Sequence, residues 1–177
     1  MTEDLRFPVG RFDPSARPDP AHVPRWIDEI AEAPARLRAA VEGLSDEQLD
    51  TPYRPGGWSV RQVVHHLADS HMNALARFKL ALTEDEPTIK PYDEAAWAEL
   101  EDTRATPPEV SLTLLDALHR RWVALLRSLG PDELARTFRH PETGRSVRLD
   151  AAVGLYAWHG RHHVAHVAGL RERMGWG

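Results

Sequence analysis

The sequence predicts an all-α fold, a four-helix bundle, on three observations. Apolar residues recur in steps of three and four along successive long stretches. One connection, between the second and third stretches, is too long for a tight antiparallel turn. The strand-like signal is confined to one short hairpin ahead of the last stretch. The 177 residues are read as a single domain, 1–177, large enough to bury a core without staples. Residues 1–20 show no helical period and are read as an extended arm lying on the bundle.

The first helix is expected from near Pro24 to Val41, with Trp26, Ile30, Leu37, Ala40 and Val41 on one face and Gly43 beyond its end. Pro34 falls inside it, so a kink or a break is expected there. After the turn-rich run 51–57, Ser59 and Gln62 have the spacing of a capping box, and Trp58 that of a staple on Val63. Val60, Val63, Val64, Leu67, Leu75, Phe78 and Leu82 then mark a long second helix that ends before Pro87. A crossover of about twenty residues follows, with a short helix around Ala95 to Leu100. Leu115, Leu118, Trp122, Leu125 and Leu129 define the third helix, stopped by Gly130-Pro131. Residues 137–140 and 146–149 flank a Pro-Glu-Thr-Gly turn as a small hairpin. Asp150 is then expected to cap the last helix, Ala151 to about Met174.

The chain has no cysteine, which excludes disulfides, thiolate zinc sites, iron–sulfur ligation and a cysteine nucleophile. No basic leader opens the sequence, and no run approaches the ~18 apolar residues of a membrane span. A cytoplasmic location without membrane partners is expected. The formal net charge is −5 with both signs interspersed, so no basic stripe is available to nucleic acid. A small molecule is the expected partner.

The unusual feature is histidine. Seven of the 10 fall in two windows, His65, His66, His71 and His159, His162, His163, His166. On a helix His159 and His163 stand one turn apart on one face, as do His162 and His166 on a neighbouring face. Spacing alone does not choose between the pairs. A third ligand from the first window would complete a facial set with positions left open. There the helical period favours His71, in the middle of the apolar face. His66 lies on its flank, in a row with Ser70, Asn73 and Arg77 that reads as a pocket wall. The blander reading makes His71 a hydrogen-bonded core residue and His22, His65, His119 and His140 surface or loop residues. Tyr156, one turn before His159, is a candidate donor to the site and also a candidate core residue.

The run from Pro55 through Trp58-Ser59-Val60-Arg61-Gln62-Val63-Val64-His65-His66-Leu67-Ala68-Asp69-Ser70-His71-Met72-Asn73 resembles the DinB superfamily, in particular its YfiT-like branch. The likeness extends through Arg77-Phe78-Lys79-Leu80, Ile89-Lys90-Pro91-Tyr92, His119-Arg120-Arg121-Trp122, Tyr156-Ala157-Trp158-His159 and His162-His163-Val164-Ala165-His166. The resemblance implies a four-helix bundle, a homodimer and a metal triad that falls on His66, His159 and His163. It also implies a metal-dependent hydrolase carrying one divalent ion per subunit, Zn2+ or alternatively Ni2+. In related branches it implies a thiol S-transferase using bacillithiol or a similar low-molecular-weight thiol.

Three neutral imidazoles leave such an ion its full charge and an open position, where the pKa of a water falls to about 7. A co-substrate thiol in the same position would be held as thiolate, the form that attacks electrophiles. A non-catalytic, metal-stabilised binding or stress-response module is the third reading, and a fourth protein ligand closing the site would mark it. No HExxH or comparable carboxylate stands beside the histidines, so no general base is assigned.

Overall fold

The computed structural model describes residues 4–14 and 18–176. Residues 1–3 and 15–17 of the expected arm lie outside them. A 3-10 turn, Pro20–His22, leads into α1 (Val23–Val41), α2 (Asp46–Leu49), α3 (Val60–Thr83), α4 (Glu94–Trp97), α5 (Glu101–Ala105), α6 (Pro108–Ser128) and α7 (Pro131–Leu134). The hairpin β1 (Thr137–His140) and β2 (Arg145–Arg148) then precedes α8 (Leu149–Met174). Four long helices, α1, α3, α6 and α8, form the bundle.

Their directions follow from which residues meet. Along α1 and α8 the contacts advance together. A Cβ on Gly154 would lie 3.2 Å from the Trp26 ring, one on Gly160 3.2 Å from the Ala33 methyl, and Arg171 donates to the Ala40 carbonyl. These two helices are parallel. So are α3 and α6, where His65 meets Ser111, His71 meets His119 and Phe78 meets Trp122. By the same test α1 and α6 are antiparallel, with Asp28 paired to Arg127 and Arg38 to Glu109. Antiparallel too are α3 and α8, with His66 beside His163 and Arg77 beside Tyr156. The parallel α3–α6 pair explains the long crossover, because the chain must travel back the length of the bundle before α6 can start.

The crossover holds two short helices, α4 and α5, where one is expected around Ala95 to Leu100. It is pinned to the hairpin: Ile89 N donates to Arg139 O and Arg139 N to Pro87 O. Strand β2 starts at Arg145, one residue earlier than its expected position, and Thr137 pairs with Arg148. The cap expected at Asp150 is not formed. Helix α8 already begins at Leu149, and Asp150 instead lies in its first turn, accepting from Ala151 N and from the Arg148 guanidinium. A carboxylate there offsets the positive helix end.

The capping box at the start of α3 is present: Gln62 N donates to Ser59 Oγ at 3.2 Å and Ser59 N to Gln62 Oε1 at 2.9 Å. A second box, Ser45 with Gln48, starts α2, an element with no apolar period to reveal it. Of the kink or break expected at Pro34, no break occurs: α1 runs continuously through it. Pro34 has no N–H for the Ile30 carbonyl one turn back, and the His119 ring fills that place, with Nδ1 2.6 Å from Ile30 O.

Two apolar clusters make the core. One gathers Ile30, Phe78, Trp122, Leu149 and Tyr156, the other Leu37, Leu67, Leu115 and Val167. On α3, α6 and α8 the buried histidines fall between the residues of these clusters, so the middle of the bundle is an imidazole layer. Residues of the 4–14 segment pack on α8, where Trp158 Nε1 donates to Gly10 O at 3.0 Å and the Phe7 ring faces His162. Among the described residues no helix is long and apolar enough to cross a membrane.

Candidate metal centre

The capping box fixes where α3 begins, and two turns in it delivers His66 to the bundle interior. Antiparallel α8 brings His159 and His163 to the same level, one turn apart. Each of the three rings offers a nitrogen, and these atoms all lie within 4.8 Å of one another. His66 Nε2 and His159 Nε2 are 3.3 Å apart. Two imidazole nitrogens bound tetrahedrally at about 2.0–2.1 Å stand about 3.4 Å apart, so this pair already has the separation that an ion of that size requires. The His163 Nδ1 is buried and has no hydrogen-bond partner. Among the described residues this is the one group of three or more His, Asp or Glu side chains close enough to share an ion, and no carboxylate belongs to it.

Burial holds these rings neutral. His66 is pushed down to about 4 by desolvation, helped by the nearby His162 ring. His159 and His163 are driven well below the usual imidazole range by desolvation and by the other histidines around them. A neutral ring is the form that ligates a metal. His66 and His163 are buried whereas His159 keeps partial exposure, which leaves the cluster an open flank.

The second pair on α8 has other partners. His162 stacks on Trp158 at 4.4 Å between ring centroids. His166 stacks on Tyr53 at 3.9 Å, with Nε2 donating to Arg6 O at 3.4 Å. Of the two pairs that spacing leaves open, His159 and His163 are the ones whose rings meet His66.

The four candidate pocket residues part ways. Arg77 Nη1 donates to Tyr156 OH at 3.2 Å while Arg77 Nε is buried without a partner, and the Tyr156 ring stands edge-on to His159. Tyr156 is also core, packed on Phe78 and Trp122; burial raises its phenol, which stays protonated. Ser70 is buried near Tyr92, whose phenol burial pushes up to about 12 against an opposing effect of the Ser70 side chain. Asn73 returns its amide to Asp69 O on its own helix.

Two histidines expected at the surface are buried, a correction to the sequence reading. His65 accepts at Nδ1 from the Ser111 hydroxyl and donates from Nε2 to Thr106 O, tying α3 to the start of α6. His119, 2% exposed, reaches Ile30 O on one side and His71 on the other. His22 is exposed and His140 partly so. His71 is the hydrogen-bonded core residue expected, and its second nitrogen lies 3.1 Å from His159 Nδ1. Sequence reading missed Trp58 as a site wall. Its ring lies 4.5 Å from that of His66 and nearly parallel to that of His163; its position just ahead of the α3 cap was the available signal.

The sequence profile of the DinB superfamily matches residues 29–167. A protein of Bacillus mycoides (strain KBAB4) named "Putative metal-dependent hydrolase" is 56% identical over 174 residues, 98% of this chain and 99% of its own length. A protein of Bacillus thuringiensis subsp. konkukian with a name of the same wording is 56% identical over 173 residues, with the same coverage. The solved structure of YfiT from Bacillus subtilis, described as a probable metal-dependent hydrolase with an unusual four-helix bundle topology, matches with a TM-score of 0.95. The two are 52% identical, over 98% of this chain and 99% of that one.

Proposed function

The chain belongs to the DinB superfamily, and from that premise we propose that it is a metal-dependent hydrolase of a small-molecule substrate. In this reading His66, His159 and His163 hold one divalent cation, with zinc the first candidate and nickel the second. The observation that carries it is the convergence of three neutral imidazole nitrogens with no fourth ligand among the described residues. A cation bound there would bring the pKa of a coordinated water to about 7 and polarise the oxygen under attack.

The chain's own residues supply the surroundings. Trp58 covers His66 and keeps water from that side. Tyr156, edge-on to the partly exposed His159, would offer a phenolic hydrogen to a substrate oxygen, and Arg77, which donates to the Tyr156 oxygen, would place a positive charge behind it. The positive Arg77 guanidinium behind that phenol would favour an anionic or carbonyl group in the substrate.

The test begins with elemental analysis of protein purified without added ions, followed by assays on a panel of activated esters and amides. Cleavage that a chelator abolishes and Zn2+ restores is the expected result, and loss of metal-dependent cleavage in His159→Ala supports the ligand set. A chlorinated nitroarene offered with and without bacillithiol serves as the control. Conjugation that needs the thiol, with no ester or amide cleavage, would overturn the hydrolase reading in favour of thiol transfer.

A further inference from the structure

The imidazole layer contains a continuous path from the backbone of α1 to the candidate metal centre. It starts at Ile30 O, which Pro34 deprives of its helical donor. His119 Nδ1 lies 2.6 Å from that oxygen, His119 Nε2 lies 2.7 Å from His71 Nδ1, and His71 Nε2 lies 3.1 Å from His159 Nδ1. His71 is 0% exposed and His119 2%, so water does not replace these contacts.

A carbonyl oxygen can only accept, and this fixes the direction of every bond in the path. His119 must carry its hydrogen on Nδ1 to donate to Ile30 O. In a neutral ring that leaves Nε2 a bare lone pair, which can pair with His71 only if His71 carries its hydrogen on Nδ1. By the same step His71 Nε2 is bare, and His159 must donate from Nδ1. The remaining nitrogen, His159 Nε2, is then an unprotonated lone pair, and it is this atom that stands 3.3 Å from His66 Nε2. Reversing one ring would set two hydrogens or two lone pairs face to face inside the core.

We propose that His119 and His71 are positioning residues: through them the Ile30 carbonyl, freed by Pro34, fixes His159 in the tautomer that presents Nε2 as a ligand. The inference rests on the reading above for its purpose, but the proton positions belong to the polypeptide alone. It gives a role to a proline inside a helix and to two buried histidines outside the ligand set. Groups that orient a metal-bound histidine from behind typically contribute about 10- to 100-fold to metal affinity.

The experiment uses the full chain labelled with 15N-histidine. Long-range 1H–15N correlation spectra of the metal-free protein at neutral pH report which nitrogen of each ring is protonated. His119, His71 and His159 are all expected as Nδ1–H tautomers. In His119→Phe, His71 and His159 are expected to become tautomer mixtures, with Zn2+ affinity, measured by chelator competition, about 10-fold weaker or more. His119→Gln, whose amide both donates and accepts, is expected to fall nearer the parent. Pro34→Ala restores a competing N–H at Ile30 O without touching a ring, and is expected to loosen the His119 tautomer if the Phe variant fails to fold. An Nε2–H tautomer at His159 in the parent overturns the proposal, as does a folded His119→Phe with unchanged tautomers and affinity. The predicted tautomers in a protein that takes up no metal would support the relay and overturn the metal reading alone.

Discussion

The His163 ring has a buried Nδ1 without a hydrogen-bond partner, a condition that costs about 1–3 kcal/mol in a closed core. An ion shared with His66 and His159 would give the ring a use for its burial. His163→Ala is therefore expected to lose stoichiometric metal, read by elemental analysis, while keeping the helical circular dichroism of the parent; full metal retention would remove this residue from the ligand set. His119 shows why part of the site was not legible at this scale. The buried stripe of α6 runs Leu115, His119, Trp122 and Leu126, while Leu118 and Leu125 are only partly buried. A polar residue inside the true stripe lowers its apolar count, so periodicity shifts to the neighbouring leucines and places His119 outside. His66 suffers the same bias on α3, and there resemblance to a family, not the wheel, distinguishes it from His71.

Between elements, the parallel contact of α1 with α8 depends on a missing side chain. A Cβ on Gly160 would stand 3.2 Å from the Ala33 methyl, which is rooted in the α1 backbone and cannot rotate away. Gly160→Val is expected to force the helices apart at a cost of about 1–3 kcal/mol. Because Gly160 follows His159 directly, the shift should also weaken Zn2+ binding. A variant with unchanged thermal midpoint and affinity would show that the close approach is dispensable. Signals confined to a few residues were legible at this scale: the Ser59–Gln62 box, the hairpin turn and the stop at Gly130-Pro131 all need only local hydrogen bonds or steric rules. Helix direction was not legible. The parallel pairing of α3 with α6 depends on which stripes meet across the bundle, and the sequence displays only its consequence, a crossover too long for a turn. Of the kink or break expected at Pro34, the absence of the break was not legible for a related reason, since the group that takes up the freed Ile30 carbonyl lies 85 positions from Pro34 on another helix.

For the whole molecule, a layer of neutral imidazoles between two apolar clusters makes stability depend on pH with a definite sign. His66 and His119 titrate at about 4 in the folded chain, chiefly through desolvation, and His71 is held well below its ordinary value of 6.5. Unfolded, each ring returns to about 6.5 and takes up a proton below that pH. The unfolded chain then binds more protons than the native one, so unfolding becomes easier as pH falls. Stability from this source is complete above about 6.5, and each ring withdraws about 1.4 kcal/mol per pH unit below it until its native form takes up a proton, near 4 for His66 and His119. The metal-free protein is expected to keep a constant thermal midpoint from neutral pH upward and to lose it steeply between about 6.5 and 4. Replacing His119 by Gln, which cannot be protonated in this range, should reduce the slope, provided the variant folds. Metal binds the same neutral rings, so it should raise the midpoint most at neutral pH, and this gain should shrink on acidification as protons compete for the nitrogens. A midpoint indifferent to pH across that window would mean that the rings are hydrated and that the layer is not the closed core described above.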